Sequence, residues 1–257
     1  MRPFRVRTLS RLAAAAASCL AVVLLPAPFM TDAPRAAGAP RGPISRPGPR
    51  PPQSRIPGGI PEGAQGPDLA FYSLADRYVE ESFRAYPTLA TVVGYHRYDS
   101  LLENLTPAGL RAKLDLAKRY RAELTSVDPK RLSVSARIDY ELMLNDVDGT
   151  IFTLSELKSY DWDPQNYIDI LGNTTLYLTL QEPDSPVWPE RLAALLARMK
   201  QIPTFLAAAR ENLRNPPRVI TDMVIQTNAG NIAFFEQSAP PLFAKAPALK
   251  GQLEREN

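Results

Sequence analysis

Tyr86-Pro-Thr-Leu-Ala-Thr-Val-Val-Gly94-Tyr-His-Arg-Tyr-Asp99-Ser-Leu-Leu-Glu-Asn-Leu-Thr106 is the stretch on which the reading of the fold turns. Pro87 suits the first turn of a short helix, where its missing N–H would have no intrahelical partner in any case. Gly94 suits the position just past that helix, where a left-handed residue is wanted. A dense cluster follows, Tyr95-His96-Arg97-Tyr98-Asp99, holding the single histidine of the protein. Thr106-Pro107 then reads as the N-cap and first residue of a new helix.

Apolar periodicity on both sides of this stretch is helical. Upstream, Asp68 is placed to cap a helix running to Tyr86, with Phe71, Ala75, Tyr78, Val79, Phe83 and Tyr86 on one face and a Glu80–Arg84 pair on the other. Downstream, a helix from Pro107 to Ser126 carries Leu110, Leu114, Ala117 and Leu124, with Lys113, Lys118, Arg119 and Arg121 solvated. Ser133 or Ser135 caps the next helix, to Lys158, with Ile138, Leu142, Asn145, Phe152 and Leu154 as its stripe. Asp163-Pro164 opens a short helix ending near Gly172, and Tyr177–Leu180 reads as a strand or another helical turn. A long helix from Pro189 to Arg214 has a near-heptad seam (Leu192, Leu195, Met199, Ile202, Leu206, Ala209, Leu213) and a kink expected at Pro203. Val219–Gln237 is the last full helix, stopped by Pro240-Pro241, and Leu249–Asn257 reads as a further helix cut short. The fold class is therefore all-α, an antiparallel multi-helix array.

Ahead of this region the chain changes character. Residues 1–33 have four arginines, an apolar run from Leu12 to Phe29 and small residues after it, the layout of a secretory signal peptide. A membrane anchor is the alternative, since the apolar run has about bilayer length, although Pro26 and Pro28 shorten it. Residues 34–67 hold ten prolines and seven glycines, a linker too poor in apolar surface to offset its ordering entropy. Residues 68–257 are the helical domain. Nine of the 30 basic and two of the 27 acidic residues precede Asp68, so the folded region is acidic by four and has no basic stripe for nucleic acid. Cys19 is the only cysteine and lies in the leader, which excludes a disulfide framework or a thiolate zinc site in the mature chain.

The ordered motifs resemble a family. Pro87-Thr-Leu-Ala-Thr91 through Gly94-Tyr-His-Arg-Tyr-Asp99 to Leu105-Thr-Pro107 is similar to the N-terminal signature of bacterial domain-of-unknown-function family 885. Leu132-Ser-Val-Ser-Ala-Arg-Ile-Asp-Tyr-Glu-Leu142, and Pro189-Glu-Arg-Leu192 with Met199-Lys-Gln-Ile-Pro203, resemble its later helices. The resemblance implies a helical, zincin-like zinc peptidase whose His-Glu-x-x-His helix lies in a C-terminal half that this chain does not reach. It implies an exported N-terminal portion that forms one cleft wall, with zinc present only when that half is. The partners it implies are a peptide substrate and the C-terminal half, with self-association as a further outcome. A non-catalytic cell-envelope binding module is the competing reading.

The residues themselves hold no complete catalytic set. A zinc site needs three protein ligands, and one histidine without a thiol does not make one. Asp146-Val-Asp148-Gly149 follows the middle of an EF-hand loop, but Leu144 and Ser155 occupy the outer ligand positions, so the aspartates read as solvated. No Gly-x-Ser-x-Gly elbow or phosphate loop occurs. The candidate substrate-binding residues are His96, Arg97, Tyr98 and Asp99. They either line a cleft, with His96 donating to a carbonyl and Arg97 holding a carboxylate, or cap helix ends and pair with one another.

The leader gives the first testable expectation. N-terminal sequencing of extracytoplasmic protein should find cleavage between Phe29 and Ala39. Recovery of intact Met1 in the cytoplasm would overturn it.

Overall fold

The structure, a computed structural model, describes residues 59–180, 186–243 and 249. The signal peptide, Cys19, residues 34–58 of the linker and the expected helix after Leu249 lie outside the described residues, whereas linker residues 59–67 are described. Helix follows helix, and there is no strand among the described residues.

The first helix, α1, spans Gly66–Ala85. It starts three residues earlier than expected, with Gly66 at φ +53 and Pro67 in the first turn. Asp68 is not the cap; its carboxylate accepts from Ser133 N at 2.9 Å and ties α1 to a remote helix start. The short helix α2 (Pro87–Val92) and the left-handed Gly94, φ +84, form as expected, followed by a single 3₁₀ turn, His96–Tyr98. Thr106 caps α3 (Pro107–Thr125), its hydroxyl accepting from Gly109 N at 3.1 Å. Ser133 caps α4 (Val134–Phe152) through Ala136 N at 3.3 Å. A π turn (Thr153–Leu157) and left-handed Lys158, φ 49, end α4 sooner than the sequence suggests.

α1, α3 and α4 make a three-helix layer around Phe71, Tyr72, Leu74, Tyr120, Leu124, Met143 and Val147. The inward face of α4 is Ala136, Tyr140, Met143 and Val147. The stripe expected from Ile138 through Phe152 faces outward instead, because α4 is apolar over much of its circumference and periodicity alone does not choose between its faces. Lys113 is buried, not solvated: its ammonium lies 3.6 Å over the Tyr86 ring and donates to the Ala85 carbonyl at the end of α1. Burial pushes it down to about 8, against the opposing pull of Glu103.

The second layer comprises α5 (Gln165–Thr179), α6 (Trp188–Met199), α7 (Ile202–Asn212) and α8 (Arg218–Ala233). α5 runs past Gly172, where a Cβ would stand 3.3 Å from the Asn231 side chain, so this glycine serves the close approach of α8 and Tyr177–Leu180 is not a strand. The long helix expected from Pro189 is two helices. Pro203 lies in the first turn of α7, where a missing N–H costs nothing. The residues of that seam are covered: Leu192, Leu195 and Ala209 are in the core. After a second π turn (Phe234–Ser238), Pro240 and Pro241 sit in the first turn of α9 (Ala239–Phe243) rather than ending a helix.

The segment 86–106 lies between the two layers, with α2 packed on α5. Two glycines test this packing in opposite directions. A Cβ at Gly109 would clash with the Asn104 carbonyl and stand 2.6 Å from its Oδ1, so Gly109→Ala should cost about 1–3 kcal/mol. A Cβ at Gly149, near the end of α4, meets nothing, so Gly149→Ala should stabilise by about 0.5–1 kcal/mol. Denaturant unfolding of both variants decides; equal effects would contradict the packing described.

Candidate functional site

The Tyr95–Asp99 cluster divides into two sets with different surroundings. Tyr95, Arg97 and Tyr98 converge on Glu80 of α1. The Tyr95 hydroxyl donates at 2.8 Å, the Tyr98 hydroxyl at 2.5 Å and Arg97 Nη1 at 2.7 Å. Glu80 is therefore engaged here and does not make the i,i+4 pair with Arg84. Burial first, then the Glu80 carboxylate, pushes the Tyr98 phenol up to about 12. Tyr95 stacks near Phe83 and Tyr98, so these two rings anchor the turn to α1.

His96 and Asp99 face the second layer. His96 Nδ1 lies 3.0 Å from Asp99 Oδ2, which leaves Nε2 as the ring nitrogen available to a ligand. Asp99 is 5% exposed and also accepts from Thr91 Oγ1 at 2.7 Å and from Arg191 Nη1 of α6. Burial alone would raise this carboxyl. Hydrogen bonds from His96 and Thr91, with the attraction of His96 and Arg191, outweigh it and hold the group below the ordinary carboxylate range.

Sequence reasoning left four further residues unassigned. Glu103 is buried and caps α2, accepting from Thr88 N at 2.9 Å and Thr88 Oγ1 at 2.6 Å. Arg198, 0% exposed, donates from Nε to the Leu101 carbonyl at 2.8 Å and from Nη2 to Thr91 Oγ1 at 2.7 Å and the Pro87 carbonyl at 3.2 Å. Gln201 donates to Ser100 O at 2.9 Å and accepts from Leu102 N at 3.1 Å. Asn212 donates to Leu105 O at 2.6 Å. One signal pointed to the arginines: Trp188, Arg191, Leu195 and Arg198 follow i, i+3, i+7, i+10, so both arginines share a helix face with core residues.

The other acids are engaged elsewhere. Asp146 accepts from Tyr78 and Asp148 pairs with Arg121 at 2.6 Å, so neither is simply solvated. Among the described residues no group of three or more His, Cys, Asp or Glu side chains could hold a metal ion. The residues of the cluster do not fit zinc: the one histidine has Nδ1 against Asp99, and Asp99 is paired with Arg191. The arrangement can orient an imidazole and offer it with the exposed Arg97 to a carbonyl or carboxylate.

An all-helical architecture with this ordered signature is that of a family described as bacterial protein of unknown function (DUF885). Its model matches residues 87–257, and the chain belongs to that family. A solved structure from Shewanella oneidensis, described as that of a candidate lipoprotein of unknown function, is similar: TM-score 0.59 and 25% identity over 72% of this chain. The match spans 36% of that protein's own length. No curated protein matches the chain.

The Asp99–Arg191 pair gives a stability test. Asp99→Asn leaves the buried Arg191 without its counter-ion and should destabilise by about 3–5 kcal/mol. Adding Arg191→Met should cost less than the sum of the single changes, since the two residues share one interaction. The sign of the pH effect follows from the lowered carboxyl. Its stabilisation is present above the ordinary value of 3.8 and is lost as pH falls through the lower folded value. Acid titration of unfolding should show wild type losing stability there and Asp99→Asn losing less; parallel curves would contradict the assignment.

Proposed function

We propose that this chain is the exported, N-terminal helical portion of a zinc-dependent peptidase, forming one wall of the substrate cleft. The observation that carries the reading is the preorganised turn. Asp99, locked on Arg191 and Thr91, orients His96 through Nδ1, while Glu80 steadies Arg97 without enclosing it. His96 Nε2 donates to a peptide carbonyl when the ring is protonated, and Arg97 receives a substrate carboxylate through its remaining N–H groups. Tyr95 and Tyr98 hold the turn against α1 through Glu80.

The resemblance to zincin-like peptidases supports the reaction class, and the share of the Shewanella protein that this chain spans is in keeping with a two-part cleft. Export is supported by the leader composition, and among the described residues no helix is long and apolar enough to cross a membrane. Zinc and the water-activating base belong, on this reading, to the other portion of such a protein.

A peptidase assay with metal analysis tests the proposal. The mature chain alone should carry no stoichiometric zinc and cleave no peptide. With the C-terminal portion of a family member, zinc-dependent hydrolysis should appear. In that assembly His96→Ala should raise KM roughly tenfold with a smaller change in kcat, as loss of a binding contact predicts. Hydrolysis by the chain unaided would overturn the proposal. A stable but inert pair would favour the non-catalytic envelope module instead.

A further inference from the structure

Helix α8 is sixteen residues long, yet Val224 is its only buried residue. Its inner stripe, Ile220 and Val224, packs with the core around Tyr167 and Leu171, and Asn231 reaches the Ile168 carbonyl at 3.4 Å. On either side of that stripe α8 is apolar and open: Val219 (76% exposed), Met223, Ile225 (65%) and Ile232. On α5, the helix against which α8 packs, Leu176 and Leu180 are open as well. A helix exposed over most of its circumference ordinarily carries charge there. Here the thirteen residues from Met223 to Phe235 contain no Asp, Glu, Lys or Arg, and neither do Ile170 to Leu180. Charge depletion with exposed branched side chains is the composition of an interface core, not of a solvated face.

We infer that α8 and the end of α5 form the seat on which the remaining helices of a longer family chain pack. The length of the relative argues for this occupant. The region shared with the Shewanella protein is 36% of that protein's chain, so most of such a polypeptide lies outside the region shared with this fold. Beyond the Arg218–Asp222 pair in its first turn, the absence of charge on α8 argues for an apolar, helical occupant over a polar peptide. The seat is distinct from the His96–Arg97 turn. It rests on the proposal that the chain is one portion of a two-part protein, but not on that protein's chemistry.

Co-expression with the tagged portion of a family member that lies beyond the shared region tests the seat. The whole chain should co-purify with that portion, and the backbone amides of Arg218–Ala233 should exchange at least about tenfold more slowly in the complex. Ile225→Lys and Val219→Glu should leave the melting temperature of the chain alone unchanged, because neither side chain is packed, and weaken the complex by at least about tenfold. Failure to co-purify would overturn the inference, as would variants that bind like wild type. A chain that sediments alone as a dimer, and becomes monomeric with either substitution, would overturn it in favour of a second copy. Complex formation without hydrolysis would leave the seat standing and remove the peptidase reading. Hydrolysis unaffected by both substitutions would do the reverse.

Discussion

Residues 86–106 are the constraint from which the rest follows. Much of this segment is neither long helix nor strand, yet it lies between two helical layers with Leu102, Glu103, Leu105 and Asp99 buried. Where the segment is buried, its backbone groups are withdrawn from water and need partners. They find them on α6 and α7: Arg198 at the Leu101 and Pro87 carbonyls, Gln201 at Ser100 and Leu102, and Asn212 at Leu105. Removing the Asn212 donor leaves the buried Leu105 carbonyl bare, which costs more than the bond itself contributes.

The same arrangement brings charge inside. Asp99, Glu103, Arg191, Arg198 and Lys113 are all buried, and each ion carries a desolvation penalty of several kcal/mol. The pairings offset this penalty but do not make the cluster a large source of net stability. Their structural effect is registry. Asp99 meets Arg191 only when α6 sits at one position along the turn, and Arg198, two helical turns on, reaches Thr91 from that same position. An apolar contact would tolerate sliding; these hydrogen-bonded ions do not.

Registry also governs what the turn can do. Asp99, Tyr95 and Tyr98 hold it through their hydrogen bonds to α2, α6 and α1, while Arg97 pairs with Glu80 and stays largely exposed. A histidine fixed through Nδ1 by a buried carboxylate differs from a freely rotating one: its remaining nitrogen has a set direction before any ligand arrives. Lys113 and Glu103 secure the two ends of the Ala85–Thr88 corner, one at the terminus of α1 and the other at the start of α2.

The sequence by itself determined the class and the punctuation. Pro87, Gly94 and Thr106 act through their own backbone and neighbouring N–H groups, so their roles at the α2 and α3 boundaries were legible without any contact map, while the cap of α4 was legible only as Ser133 or Ser135. The all-α class was legible for the same reason, since helical periodicity is a local property. Faces and partners were not. Ile138 and Phe152 share one periodic stripe of α4 and Tyr140 and Val147 another, and only the positions of α1 and α3 select the second. Lys113 reads as solvated until Tyr86 and the Ala85 carbonyl are brought over it. Asp99 was legible as a candidate residue, but its partner Arg191 lies 92 positions away. Hydrogen bonding of a buried segment is settled by whichever remote side chain the packing brings within about 3 Å, a distance that spacing along the chain does not encode.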